Sequence, residues 1–201
     1  MNMGDSVNDQ SLKQQGILRS IYARRSVRAY APTPVDDAVL PTLLDAAVHA
    51  PTAMHEEPWA FVIVQNARLL QRLSDIAKPV FIEEVSRRGA HGNIRSLEHF
   101  SRADFNIFHG AGTLIVICAR QQGTFAVADC WLAAENLMLA ADAIGLGTCI
   151  IGSAVSALNA HKKELGMPAE YSAIAPIVVG VPGGETRATS RNKPVILSWK
   201  K

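Results

Sequence analysis

Two or three guanidiniums and one hydroxyl within five residues can surround a phosphate dianion, and Arg24, Arg25, Ser26, Val27 and Arg28 supply such a set. Arginine donates in a planar fork that matches phosphate oxygens, and serine adds a short hydrogen bond. On charge alone the same five residues also make an ordinary solvated basic turn. A second stretch, Ala50-Pro51-Thr52-Ala53-Met54-His55-Glu56-Glu57-Pro58-Trp59, is a proline-bounded polar loop running straight into an apolar segment. Such loops often carry ligand contacts, although a plain helix-to-strand connection with Trp59 as a core plug reads the same way. A third, Gly145-Leu146-Gly147-Thr148-Cys149-Ile150-Ile151-Gly152, would let backbone approach a flat ring, or simply stop a helix and start a strand. The fourth, Ser190-Arg191-Asn192-Lys193, reads by itself as a solvated tail.

Several familiar sites are missing. The sequence has no GxGxxG dinucleotide fingerprint, no GxxxxGK[ST], no GxSxG and no HExxH. Its six histidines are scattered and form no metal set, so no metal is expected. The three cysteines, Cys118, Cys130 and Cys149, have neither CxxC nor zinc spacing and sit in apolar runs, as buried small hydrophobes do. A net charge of +2 without a dense basic stretch argues against nucleic acid or anionic lipid as partner. No run of about 18 apolar residues is present to span a membrane. The opening MNMGDSVNDQ lacks the basic and apolar regions of a signal peptide, so a reducing cytoplasm is expected.

The elements that must position these residues follow from periodicity. Residues 12–23 form a first helix with Ile17, Leu18, Ile21 and Tyr22 on one face. Asp36 or Asp37 caps a second, with Leu40, Leu43, Leu44, Ala47 and Val48 as its stripe, ending at Pro51. Residues 59–64 have the length of a strand, and Asn66 caps a helix through Ala77. Residues 78–108 lack a sustained period and are expected to form short helices and loops. Residues 113–119 are a strand buried on both faces, and 126–144 a helix apolar almost all round, with Gly145 as its stop. A helix that apolar is central or lies in a subunit interface. Strands at 148–151 and 174–181, with a helix near 155–165 between them, and an edge strand at 195–199, on this subunit or its partner, complete the reading. At 201 residues, 48% hydrophobic and 19% charged, the chain is one domain, and its low charge suits an oligomer. Pattern alone leaves α/β and α+β both open.

Taken together and in order, the stretches RRSVRAY, APTAMHEEPWAFVIV, ADCWLAAENLMLAADAIGLGTCIIG and IAPIVVGVP with its basic tail resemble the nitroreductase (flavin reductase) family. The resemblance runs from about Ile17 to Trp199. It implies an α+β sandwich, a mostly antiparallel sheet flanked by helices, in an interlocked homodimer with FMN at the subunit interface. Residues from about 183 to 201 would be an arm wrapping the partner.

By that resemblance Arg24, Ser26 and Arg28 hold the FMN phosphate and ribityl chain, with Arg25 beside the flavin largely through its backbone. Arg191, or Lys193 instead, reaches the same phosphate. Thr52, Ala53, Met54 and His55 line the flavin from the partner subunit, while Cys149, Ile150, Ile151 and Gly152 bring backbone to the ring. His55 and Glu57 stand where members commonly have Asn and Gln, and both change charge more readily than amides. They would be either a structural ion pair or a proton donor to reduced substrate. The implied activity is ping-pong transfer from NAD(P)H to a small nitroaromatic, quinone or related acceptor. Enone reduction, dehalogenation, flavin fragmentation and azoline oxidation occur on the same fold, and residues 78–108 are expected to cover the substrate pocket that decides between them. A flavin-binding or sensing protein with little turnover, or a dimer that has lost its flavin, are the readings outside that class.

Overall fold

The computed structural model describes residues 16–87, 98, 100–102, 104–120, 123–184, 186 and 189–201. The uninterrupted apolar run Leu114–Ala119 within strand β2 (Thr113–Arg120) has no polar face to offer water, so the strand must be central. Its side chains alternate between two layers, with Leu114, Val116 and Cys118 in one cluster and Ile115, Ile117 and Ala119 in the other. On one side it pairs antiparallel with the strand that precedes it in the chain, β1 (Trp59–Val64), whose bounds are those predicted. On the other it pairs antiparallel with the last strand, β4 (Tyr171–Gly180), which in turn pairs antiparallel with β3 (Gly147–Ile150). The order is β1-β2-β4-β3, a sheet antiparallel throughout, which settles the α+β class. Opposite the Ile117/Cys118 step the register of β4 skips Ile174, a bulge that re-aims the strand just before Pro176. Pro176 cannot donate to the ladder, but its carbonyl accepts from Ile151 N at 2.8 Å and ties the residue after β3 to the sheet.

Helices cover both faces. α1 spans 16–23 within the described residues. α2 (Leu40–Val48) and α4 (Ala126–Ala143) pack against the face of Ile115, Ile117, Ile177 and Val179. α3 (Ala67–Arg87) and α5 (Val155–Ala160) cover the face of Leu114, Val116 and Val178. Asn66 caps α3 as predicted, its Oδ1 accepting from Leu69 N at 3.0 Å. α4 stops in a Schellman turn, with Leu146 N on Ala141 O at 2.8 Å and Gly145 N on Asp142 O at 3.1 Å.

Some boundaries differ from expectation. α3 does not end at Ala77 but continues through Pro79 to Arg87. Tertiary contacts outweigh the hydrogen bond lost at the proline: Lys78 Nζ donates to Phe105 O at 3.0 Å, and Phe81 stacks on Phe100 at 4.7 Å. Asp36 caps the turn before α2 rather than the helix, accepting from Ala38 N at 2.9 Å. The helix after β3 ends at Ala160 and continues as turns to Gly166. Residues 195–199 form no strand within this chain, which leaves Leu197 95% exposed and a strand on a partner subunit as the other expected place for them. Residues 12–15 of the predicted first helix lie outside the described residues.

Candidate active site

The basic segment leaves α1 and runs along the outer edge of β3. Ser26 bridges Thr148 in parallel, Val27 N donates to Thr148 O at 2.9 Å, and Ala31 N donates to Val181 O at 2.9 Å. Gly147 makes this approach possible: a Cβ there would fall 2.6 Å from Val27 Cγ2. The result is that Arg28 lines one cleft with Cys149, Ile150, Ile151 and Gly152, five residues that the sequence motifs assign to one ligand. The cleft encloses about 460 Å³.

Each side chain of the segment has a distinct place. Arg25 turns back on α1, Nη1 donating to the carbonyls of Tyr22, Ala23 and Arg24 at 2.6, 2.9 and 2.8 Å, so its guanidinium is spent on capping the helix. Arg24 is half-buried, with Nε 3.7 Å from a carboxylate oxygen of Glu135 on α4. That Nε is buried and has no hydrogen-bond partner among the described residues. Arg28 is exposed, with Nη1 in a long 3.5 Å contact with Ser26 O. Cys149 lies beneath them. Burial pushes its thiol up, and Arg28, Arg24 and a hydrogen bond with Ser26 oppose that shift. Burial likewise raises Cys118 to about 11 and Cys130 to about 12, so all three cysteines behave as the buried hydrophobes expected.

The far wall of the cleft comes from residues for which periodicity gave no element. Phe81 of α3 stacks on Phe100, Phe100 meets Phe105 edge-on at 5.1 Å, and Phe105 meets His109 at 5.9 Å. All four line the cleft. A buried serine fixes their backbone, since Ile107 N donates to Ser74 Oγ at 3.0 Å. Phenylalanines spaced without period carry no sequence signal of a shared wall. His109, with φ of +56°, was also missed, as was Tyr30, whose buried hydroxyl has no partner among the described residues.

The loop of Thr52, Ala53, Met54, His55 and Glu57 is elsewhere. A short 3₁₀ turn, Ala53–His55, is tied to α4 by Ala53 N, 3.3 Å from each carboxylate oxygen of the buried Asp129. Met54, His55 and Glu57 have φ of +56°, +55° and +43°, a left-handed cluster rare for residues with a Cβ and typical of functional loops. His55 and Glu57 are exposed, and among the described residues no ion pair joins them. Trp59 pairs with Ala119 at the Tyr171 end of one sheet edge, whereas Thr148 pairs with Val179 toward the opposite end, at the other edge. At about 4.8 Å per strand and 3.4 Å per residue, the loop and the cleft are on the order of 20–25 Å apart. One flat ring cannot touch both within a single chain. Arg191 and Lys193 lie in the exposed tail, Arg191 Nη1 donating to Thr189 Oγ1 at 2.7 Å, and neither lines the cleft.

Among the described residues no helix is long and apolar enough to cross a membrane, and no cluster of His, Cys, Asp and Glu could hold a metal ion.

Known proteins share this fold. A protein of Archaeoglobus fulgidus provisionally named NADH dehydrogenase/NAD(P)H nitroreductase is 27% identical over 175 residues, which is 84% of this chain and 86% of that one. A nitroreductase of Bacteroides fragilis crystallised with FMN superposes with a TM-score of 0.77 at 26% identity, covering 92% of this chain and 98% of that one. Iodotyrosine deiodinase crystallised with FMN and 3-iodo-L-tyrosine has a TM-score of 0.67 at 21% identity over 90% of this chain and 97% of that one. The model of the nitroreductase family matches residues 21–181, and the chain belongs to that family.

Proposed function

We propose that the protein is an FMN-dependent oxidoreductase that takes electrons from NADH or NADPH and passes them, in a second half-reaction at the same cleft, to a small flat acceptor such as a nitroaromatic or a quinone. The observation that carries this reading is the shared cleft of Arg28 with Cys149, Ile150, Ile151 and Gly152, created by the Ser26–Thr148 bridge. The residues present fit the cofactor. Arg24 keeps a buried Nε–H that has no hydrogen-bond acceptor among the described residues, Arg28 is exposed two residues from Ser26, and together these side chains suit a phosphate dianion. Ile150, Ile151 and Gly152 offer backbone and aliphatic surface to a flat ring, and the flavin, when bound, would supply the redox chemistry.

The chain's own contribution is selection and orientation. Phe81, Phe100 and Phe105 present aromatic faces and edges, which favour flat unsaturated acceptors over polyanions or saturated chains. No side chain is required as a nucleophile. The relatives' nitroreductase names support this class of acceptor.

The working unit in this reading is a homodimer. The loop of Thr52, Ala53, Met54 and His55 lies too far from the cleft of its own chain and would line that of the partner. Apolar side chains stand ready for such an interface: Ile17 and Tyr22 on α1, Val127, Trp131 and Leu132 on α4, and Val195, Leu197 and Trp199 on the tail are all exposed. The tail would carry Arg191 or Lys193 to the partner's phosphate site. His55 would then meet substrate as a proton donor.

The test is to titrate the protein with FMN, then monitor oxidation of NADH and NADPH with a nitroarene and a quinone as acceptors. Tight binding with turnover is expected. Tight binding without turnover against any acceptor would replace this reading with a flavin-binding or sensing role.

A further inference from the structure

Tyr30 ends the basic segment, and its ring is held in place from several sides. It lies against Gly180, where an added Cβ would come within 3.1 Å of Tyr30 Cδ1. The flanking backbone is pinned by Ala31 N on Val181 O and by Gly183 N on Ala29 O at 2.8 Å. These bonds fix the backbone on both sides of the ring. Tyr30 Oη is buried without a hydrogen-bond partner among the described residues, and the groups that act on it electrostatically are Cys149 and Arg28, both of which line the cleft. Burial raises the phenol well above its usual value, with Cys149 adding to the shift and Arg28 opposing it, so the hydroxyl stays protonated and remains a donor.

A buried hydroxyl with no acceptor is destabilising, and phenylalanine would fill the same space without that penalty. Tyrosine makes sense here if its acceptor arrives with the ligand. We propose that Tyr30 Oη is a hydrogen-bond donor of the anion site, satisfied only when a phosphate is held by Arg28 and Ser26. The proposal rests on the flavin reading and adds a binding residue to it.

The test compares FMN with riboflavin, which has the same ring and no phosphate. Wild type, Tyr30→Phe and Arg28→Ala, each stripped of flavin, are titrated with both by fluorescence, and the melting temperature of each stripped protein is recorded. Tyr30→Phe is expected to bind FMN roughly tenfold more weakly, the size of a lost bond to a charged acceptor. Its riboflavin affinity should be unchanged and its melting temperature no lower. An unchanged preference for FMN over riboflavin in Tyr30→Phe, with that preference reduced in Arg28→Ala, would overturn the role of Tyr30 and leave the flavin reading standing. A preference unchanged in both variants would remove Arg28 from the phosphate site and the inference with it, whereas a wild type that binds neither FMN nor riboflavin would remove the flavin reading. Equal losses for FMN and riboflavin, with a lower melting temperature, would show a structural hydroxyl and overturn the proposal.

Discussion

Gly147→Ala should damage the cleft from outside it. The new Cβ would stand 2.6 Å from Val27 Cγ2, 2.9 Å from Val27 Cβ and 3.1 Å from Pro182 Cγ. Restoring ordinary contact at about 3.4 Å requires Val27 to retreat by about 0.8 Å. Val27 is buried at 5% exposure and its own N–H is bonded to Thr148 O, so the shift must carry Ser26 and Arg28 with it. Overpacking of this kind costs about 1–3 kcal/mol. Displacing these two proposed phosphate ligands should also weaken FMN by roughly tenfold, since charge-assisted bonds of about 1.5–3 kcal/mol depend on geometry. Val27→Ala alone leaves a cavity, but in the double variant the added methyl occupies the space the valine gave up. Denaturant unfolding of all four proteins, with FMN titration alongside, measures the cycle. A double variant closer to wild type than Gly147→Ala is expected in both assays. If Gly147→Ala costs under about 0.5 kcal/mol and leaves FMN affinity intact, β3 does not position the basic segment through this contact.

Arg28→Ala should weaken FMN by about 1.5–3 kcal/mol, measured by flavin fluorescence, with Arg24→Ala also weakening it. His55→Asn, at an exposed position, should change stability by less than about 0.5 kcal/mol; a pH–rate profile displaced from wild type would identify it as the proton donor, and a superimposable profile would remove it from that role. Deleting residues 186–201 should weaken the proposed dimer in sedimentation while the monomer keeps its sheet, because the tail's Val195, Leu197 and Trp199 are largely exposed in their own chain. An undiminished dimer would contradict the wrapped tail. The buried thiols set an alkaline limit: Cys118 and Cys130 are raised from the usual value near 9 to about 11 and about 12. The folded state therefore holds protons that the unfolded chain releases, so this contribution is complete below pH 9 and is lost as pH rises through those values. Alanine at both positions should flatten the fall in stability over that range, read by thermal melts at stepped pH.

The central strands were legible because their composition leaves no choice. An apolar, β-branched run such as 113–119 cannot face water, and the stop of α4 is written in Gly145. The sequence shows α3 only as far as Ala77, because no sustained period continues beyond it and Pro79 follows. The contacts of Lys78 and Phe81 that override it join residues far apart in the chain, Phe105 and Phe100, a separation no local pattern carries. The cleft was half legible. Arg28 and residues 149–152 occur in motifs whose order signals a family, and the structure brings them together. Phe81, Phe100, Phe105 and His109 converge only through tertiary packing. Tyr30 was hidden differently: it lies inside the RRSVRAY motif, but an aromatic there reads as core until the burial of its hydroxyl is seen. The distance between the loop of His55 and its own chain's cleft is likewise a property of the folded sheet, which spacing in the sequence does not convey.

Flavin-dependent reduction is tested most directly by an absorbance spectrum of the purified protein loaded with FMN, followed by anaerobic addition of NADH and of NADPH. Flavin bands near 370 and 450 nm, approximate values for the bound chromophore, are expected, and they should bleach with at least one donor. A protein that stays colourless after loading with FMN would contradict the assignment.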